Sequence, residues 1–167
     1  MINSTYQIVI DFFREHPELE TLLDIGSRDV GSGHIRNHVP SNVKYTGADM
    51  IDGDNVDIVV NAHELLTKFQ PESFDVVTCF DTLEHDDEFW VSWEQIKQVV
   101  KKGGWVILGV PGRFCPQHDW PGDYWRFMPG AIDYFFKDFS DVYTRVITNE
   151  EWNQVIENEI YGWGKKA

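Results

Sequence analysis

The stretch "FCPQHDWPGDYWRF" (114–127) holds two prolines and a glycine that break up any regular element. Between them His118, Asp119, Asp123 and Arg126 are interleaved with Trp120, Tyr124 and Trp125. Large aromatics and ionisable groups are what a pocket wall uses to hold a ligand. Trp120, Tyr124 and Trp125 offer an apolar stacking surface. Arg126 can pair with an anionic group on a substrate, or equally with Asp119 or Asp123 to brace the loop. An imidazole titrates near neutral pH, so two histidines are candidate general bases: His118 beside Asp119, and His85 after Glu84 in "FDTLEH" (80–85). Each can equally be a structural hydrogen-bonding group. His118, Asp119 and Asp123 are acceptable metal ligands by type. Their spacing fixes no acidic partner, so no metal is expected.

A second constellation lies in "LLDIGSRDVGSGHIR" (22–36), where Asp24, Gly26, Gly31 and Gly33 mark the end of a strand. A phosphate loop needs GxxxxGK[ST], and Ser32 and Gly33 stand where Lys and Ser/Thr must be. A dinucleotide turn needs GxGxxG, and Arg28 occupies the glycine that approaches the pyrophosphate. A nucleoside without a pyrophosphate remains. Asp49, directly after "YTGA", can accept both hydroxyls of a ribose; the bland alternative is a solvated loop aspartate among Asp52, Asp54 and Asp57.

These motifs, with "NAH" (61–63), "FDVVTCFDTLEHDDEFW" and "VVKKGGWVILGVPG", resemble class I S-adenosylmethionine-dependent methyltransferases over about residues 18–130. Motif I of that family is E/D-x-G-x-G-x-G; Asp24 and Gly26 match, while Arg28 and Val30 replace glycines. The resemblance implies cofactor contacts from Asp24, Gly26, Ser27, Arg28, Asp29 and Gly31 in the first turn. It implies ribose contacts from Asp49 with Met50, adenine contacts from Asn61 and Ala62, and methionine contacts from Phe80 and Asp81. The loop resembles an H-D-x-P-x-D-Y-W-R-F segment of a small methyltransferase subgroup. It implies an acceptor site at Trp120, Asp123, Tyr124, Trp125 and Arg126, with His85 and His118 as catalytic candidates. S-adenosyl-L-methionine is the implied cofactor and S-adenosyl-L-homocysteine the product. The acceptor is expected to be a small molecule or glycan, methylated on oxygen. A non-catalytic binding or scaffold module is the rival, and an NAD-dependent enzyme is a more distant one.

The elements that must position these groups alternate in type, the pattern of an α/β fold. An opening helix is predicted over 4–16, and strands over 21–26, 43–49, 56–62, 72–80 and 104–110. A helix follows Asp86 and Asp87, with Phe89, Trp93, Ile96 and Val100 on one face, Lys101 and Lys102 at its end, and Gly103-Gly104 as its stop. The tail predicts a helix near 129–138 and an antiparallel hairpin of strands at 141–148 and 158–164. Met128-Pro129-Gly130 supplies that helix with no capping side chain. The expected fold is Rossmann-like: seven mostly parallel strands, helices on both faces, one domain over 1–167. Ligands in such sheets sit beyond the carboxyl ends of the strands.

Composition sets the outer bounds. The 167 residues carry a net charge of −14 with only 14 Lys and Arg, which disfavours a nucleic-acid partner. The [N/D/S]-P-P-[Y/F/W] motif usual in DNA base methyltransferases is missing after the fourth strand. No apolar run reaches the roughly 18 residues of a membrane span. The start lacks the basic region and cleavage site of a signal peptide, and Cys79 and Cys115 are expected to be reduced thiols, so a cytoplasmic location is expected. With no added substrate-recognition domain, the acceptor site is either the 114–127 loop or shared with a partner subunit or second copy.

Overall fold

Each central strand is apolar on both sides, and a different helix covers each side. Leu22, Val76, Trp105 and Ile107 pack with Ile8, Val9, Phe12 and Phe13 of the first helix, α1 (Asn3–Glu15). Their neighbours Leu23, Val77, Val106 and Leu108 pack with Trp93, Ile96 and Val99 of α2 (Phe89–Val99), and with Ile132 and Phe135 of α3 (Pro129–Phe135). Alternation with a period of two thus fills both faces at once, as a buried parallel sheet requires. The structure is a computed structural model and describes residues 3–31, 33–118, 122–151 and 154–167. Asp119 and Trp120, both expected near the site, lie outside the described residues.

The strands are β1 (Thr21–Ile25), β2 (Lys44–Asp49), β3 (Ile58–Val59), β4 (Phe74–Phe80), β5 (Val100–Pro111), β6 (Phe139–Glu151) and β7 (Gln154–Lys166). They form one sheet in the order β3-β2-β1-β4-β5-β7-β6. β1 to β5 run parallel, and β7 inserts antiparallel between β5 and β6. The Rossmann-like class, the strand number, the closing hairpin and the two helical layers agree with the sequence reading. No helix among the described residues is long and apolar enough to cross a membrane.

Several boundaries differ from expectation, and those of β3 and α2 have a tertiary reason. β3 shrinks to two residues because only Ile58 and Val59 find partners, Ala48 and Asp49, at the sheet edge. α2 stops at Val99, since Val100 already pairs with Phe74 in the sheet. Lys101 therefore lies in β5, where its ammonium meets the Asp75 carboxylate at 2.7 Å instead of closing the helix. Gly103-Gly104 then forms an irregularity between the Phe74–Val100 and Val76–Trp105 pairs, with Gly103 at φ +71°. α3 begins at Pro129 with no side-chain cap from Met128, as expected, and ends at Phe135, short of the expected 138.

Candidate active site

The carboxyl ends of β1 to β5 open onto one cavity of about 640 Å³. Its wall is built from successive strand ends: Gly26, Ser27 and Arg28 after β1, Asp49 and Met50 at β2, Asn61 and Ala62 after β3, Phe80 and Asp81 at β4. Cavities in open α/β sheets form here because the loops splay apart beyond the last backbone pairing. His85, His118 and Tyr124 close the far side.

The β1 turn is held from both flanks. Gly26 N–H and Ser27 N–H both donate to the Ala48 carbonyl, at 2.9 and 3.2 Å. The Asp49 carboxylate accepts from Arg28 N–H at 3.2 Å and from Ile51 N–H at 2.9 Å. Asn55 ties the same turn down, its amide donating to the Ser27 carbonyl at 2.7 Å. Asp49 thus stands at the cavity wall with one backbone donor on each oxygen, which leaves lone pairs for a ligand's hydroxyls. Asn61 caps the short helical turn Ala62–Thr67 by accepting from His63 N–H at 2.9 Å.

Several residues expected to touch a ligand are placed elsewhere. Asp24 lies beneath the sheet ends, 3% exposed, accepting from Tyr45 Oη at 2.5 Å and Thr78 Oγ1 at 2.7 Å. Burial pushes its carboxyl up to about 6, against those two hydrogen bonds. Asp29 accepts from Gly31 N–H and Gly33 N–H and so shapes the turn. The Gly31 bond is the main reason that its carboxyl sits below the usual range. Neither Asp29 nor Gly31 lines the cavity.

On the acceptor side Trp125 turns inward, its indole N–H donating to the Asp86 carbonyl at 2.8 Å and its rings packing edge-on against Phe89. Arg126 is committed to Asp123 through two guanidinium–carboxylate contacts and to the Cys115 carbonyl at 2.9 Å. The Arg126 hydrogen bond holds the Asp123 carboxyl well below the carboxylate range. Of the two readings of Arg126, the brace is the one the contacts describe. Trp125, Asp123 and Arg126 thus position the loop while Tyr124 reaches the cavity.

The structure also brings up residues the sequence reading passed over. Glu159, Cys115 and His63 line the cavity. Glu159 arrives because β7 pairs it with Pro111 of β5. Burial and the nearby Asp81 push its carboxyl up to about 7. Asp81, at φ +47°, is likewise raised by burial. Glu84 has a fully buried side chain and lies beside both candidate bases, with Oε1 at 3.7 Å from His85 Nε2 and 3.6 Å from His118 Nε2. Burial raises its carboxyl well above the usual range. This end of the cavity is acidic, with Asp81 close enough to Glu84 and Glu159 to raise both carboxyls.

A parallel sheet closed by one antiparallel strand, with its cavity across the carboxyl ends of β1 to β5, defines the class I adenosylmethionine-dependent methyltransferase architecture. Residues 23–108 match the family described as methyltransferase domain, and the chain belongs to that family. A SAM-dependent methyltransferase from Archaeoglobus fulgidus superposes with a TM-score of 0.71 at 14% identity, covering 96% of this chain and 94% of that one. The 1,6-didemethyltoxoflavin-N1-methyltransferase of Burkholderia thailandensis, solved with its substrate and S-adenosylhomocysteine, gives 0.70 at 14% identity over 97% of this chain and 78% of that one. Among curated proteins, the ubiquinone biosynthesis O-methyltransferase of Paraburkholderia xenovorans is 38% identical over 56% of this chain and 45% of its own length. That of Paraburkholderia phytofirmans is 39% identical over 36% of this chain and 26% of its own length. The chain spans less than half the length of these curated relatives.

Proposed function

We propose that this protein methylates a hydroxyl of a small-molecule or glycan acceptor in the cytoplasm, with S-adenosyl-L-methionine as donor. The observation that carries the reading is the continuous cavity running from the Asp49 carboxylate to the His85–His118 pair. The residues present fit the cofactor. Asp49 offers lone pairs to the ribose, and the slot between Met50, Ile51, Val60 and Ala62 suits an adenine face. Asn61 stands at its edge, and Phe80 and Asp81 flank the place for the methionine portion. Gly26, Ser27 and Arg28 bring backbone close to it, and the acidic groups Asp81 and Glu159 favour a cationic centre there.

When bound, adenosylmethionine supplies a methyl group on a sulfonium, activated without covalent help from the protein. This chain's residues then have three tasks: to align the acceptor in line, to exclude water, and to accept its proton. Tyr124 covers the acceptor end, held there by its backbone N–H donating to the Glu84 carbonyl at 2.8 Å. Asp123, Trp125 and Arg126 fix the loop that presents it. The proton leaves toward the cluster of Glu84, His85 and His118. The names of the curated relatives specify methylation on oxygen, which supports a hydroxyl acceptor.

Calorimetric titration with adenosylmethionine, adenosylhomocysteine and NAD tests the reading. Both adenosyl compounds are expected to bind, and Asp49→Ala to weaken them about 10- to 100-fold, the effect of losing a charged acceptor with one or two hydroxyl partners. Binding of NAD in their place, or no binding by a folded sample, would overturn it. With an acceptor in hand, His118→Ala is expected to lower kcat about 100-fold and leave adenosylmethionine affinity within about threefold. Equal kcat in the two proteins sinks the role assigned to that cluster.

A further inference from the structure

Glu84, His85 and His118 gather three potential ligand atoms in one place. The Glu84 side chain is fully buried, and neither of its carboxylate oxygens has a hydrogen-bond partner among the described residues. Such a group is costly to leave unmatched and calls for a cation. The histidines do not serve as donors to it, because 3.6 and 3.7 Å are too long for hydrogen bonds. Each ring is instead engaged through its other nitrogen. His85 Nδ1 bonds to the Gly122 carbonyl, and His118 Nδ1 lies 3.3 Å from the Pro116 carbonyl. A carbonyl only accepts, so in the neutral rings the proton resides on Nδ1, and both Nε2 lone pairs face the Glu84 carboxylate.

This is the arrangement by which proteins orient histidine ligands, with the distal N–H held by a backbone carbonyl and the other nitrogen free for an ion. The three donor atoms all lie within 4.8 Å of one another. Ligands about 2.1 Å from a tetrahedral ion stand about 3.4 Å apart, so the two Glu84–histidine separations need only tenths of an ångström of closure. Two imidazoles and one carboxylate suit Zn²⁺ and its first-row neighbours, whereas Mg²⁺ and Ca²⁺ prefer oxygen alone. His85 and His118 line the cavity, so a fourth position would open onto it.

We propose that Glu84, His85 and His118 form a binding site for a divalent first-row transition ion, of which Zn²⁺ is the type, on the wall of the cavity. Three protein ligands with an open position is the form of a catalytic rather than a structural site. With an ion there the three side chains would serve as ligands and not as bases: the ion would hold the acceptor oxygen and lower the pKa of its hydroxyl, whose proton would leave to water. That last consequence rests on the methyl-transfer reading; the binding of the ion does not.

The test is calorimetric titration of chelator-treated protein with Zn²⁺ alone, repeated with Co²⁺ while the visible absorption of a four-coordinate complex is recorded. One ion per chain is expected to bind, weakened at least about 100-fold in Glu84→Gln and in His118→Ala, and unchanged in His38→Ala. His38 is stacked on Tyr6 and lies outside the cavity wall. Circular dichroism of each variant establishes that it is folded, and Glu84→Gln keeps the side-chain volume. Absence of stoichiometric binding, or equal affinity in the folded variants and the parent, would overturn the proposal. Adenosylmethionine is titrated into the same metal-free sample, so that loss of the cofactor reading and loss of the metal site register separately.

Discussion

Asp24→Asn is expected to make the protein more stable at pH 7 by up to about 3 kcal/mol, and to change little at pH 4. Burial raises the carboxyl of Asp24 from 3.8 to about 6, so between those values the folded chain holds a proton that the unfolded chain releases. Stability of the parent therefore falls as pH rises from about 4 to about 6, and the loss is complete above that. A difference of about two pKa units corresponds to about 3 kcal/mol. Asparagine is neutral throughout and removes the loss. Its carbonyl can keep the Tyr45 hydroxyl. Its amide can donate to Thr78 Oγ1, whose own proton then turns toward the Leu23 carbonyl, 3.5 Å away. Urea unfolding of both proteins from pH 4 to 8 should give curves that separate between pH 4 and 6 and run parallel above. A pH-independent difference, or a variant weaker than the parent at pH 7, would show that Asp24 is ionised at no cost.

What makes this acid expensive also explains why it misled the sequence reading. Asp24 matches the family's motif I, and in "LLDIG" nothing distinguishes a side chain facing the cavity from one facing the core beneath. Pairing decides it: Asp24 shares its side of the sheet with Leu22 and Thr78. The position of Asp49 at the cavity wall was legible, because the end of a strand is a place that local pattern reveals. The core was legible for the same reason, since Leu22 and Leu23 announce two buried faces without reference to any partner.

The acceptor side was harder, because its geometry arises between segments. Trp125 in a loop looks like a pocket wall until Phe89 of α2 is placed against it. Arg126 and Asp123 are three residues apart and left two readings open, between which only the observed pairing decides. Glu84 reads as one more charge in an acidic chain. Its burial follows from the tight turn Leu83–His85, which sends it inward, and from the loop that returns more than 30 residues later to lay His118 across it. Glu159 lies still further along the chain and joins the cavity only through the antiparallel pairing of β7. A sequence pattern of limited range carries none of these.

Gly26→Ala is expected to cost about 3 kcal/mol or more, and the cost has two parts that can be measured apart. Gly26 sits at φ +74°, where a Cβ is strained by about 1–2 kcal/mol whatever surrounds it. A Cβ there would also stand 2.0 Å from Thr82 Oγ1 and 2.9 Å from its Cγ2. Thr82 cannot easily withdraw, for its hydroxyl donates to the Phe80 carbonyl at 2.8 Å and the buried Leu83 follows it. Overpacking of this kind adds about 1–3 kcal/mol. A double-mutant cycle with Thr82→Gly removes the side chain that is struck while leaving the backbone strain at residue 26. In chemical unfolding, Gly26→Ala is expected to cost less in the Thr82→Gly background than in the parent, by the steric part, with the remainder persisting. If the two costs are equal, the turn yields without pressing on Thr82, and the close approach of β1 to β4 is not what demands a glycine. If the cost vanishes altogether, the left-handed backbone is a consequence of the threonine and not a requirement of the turn.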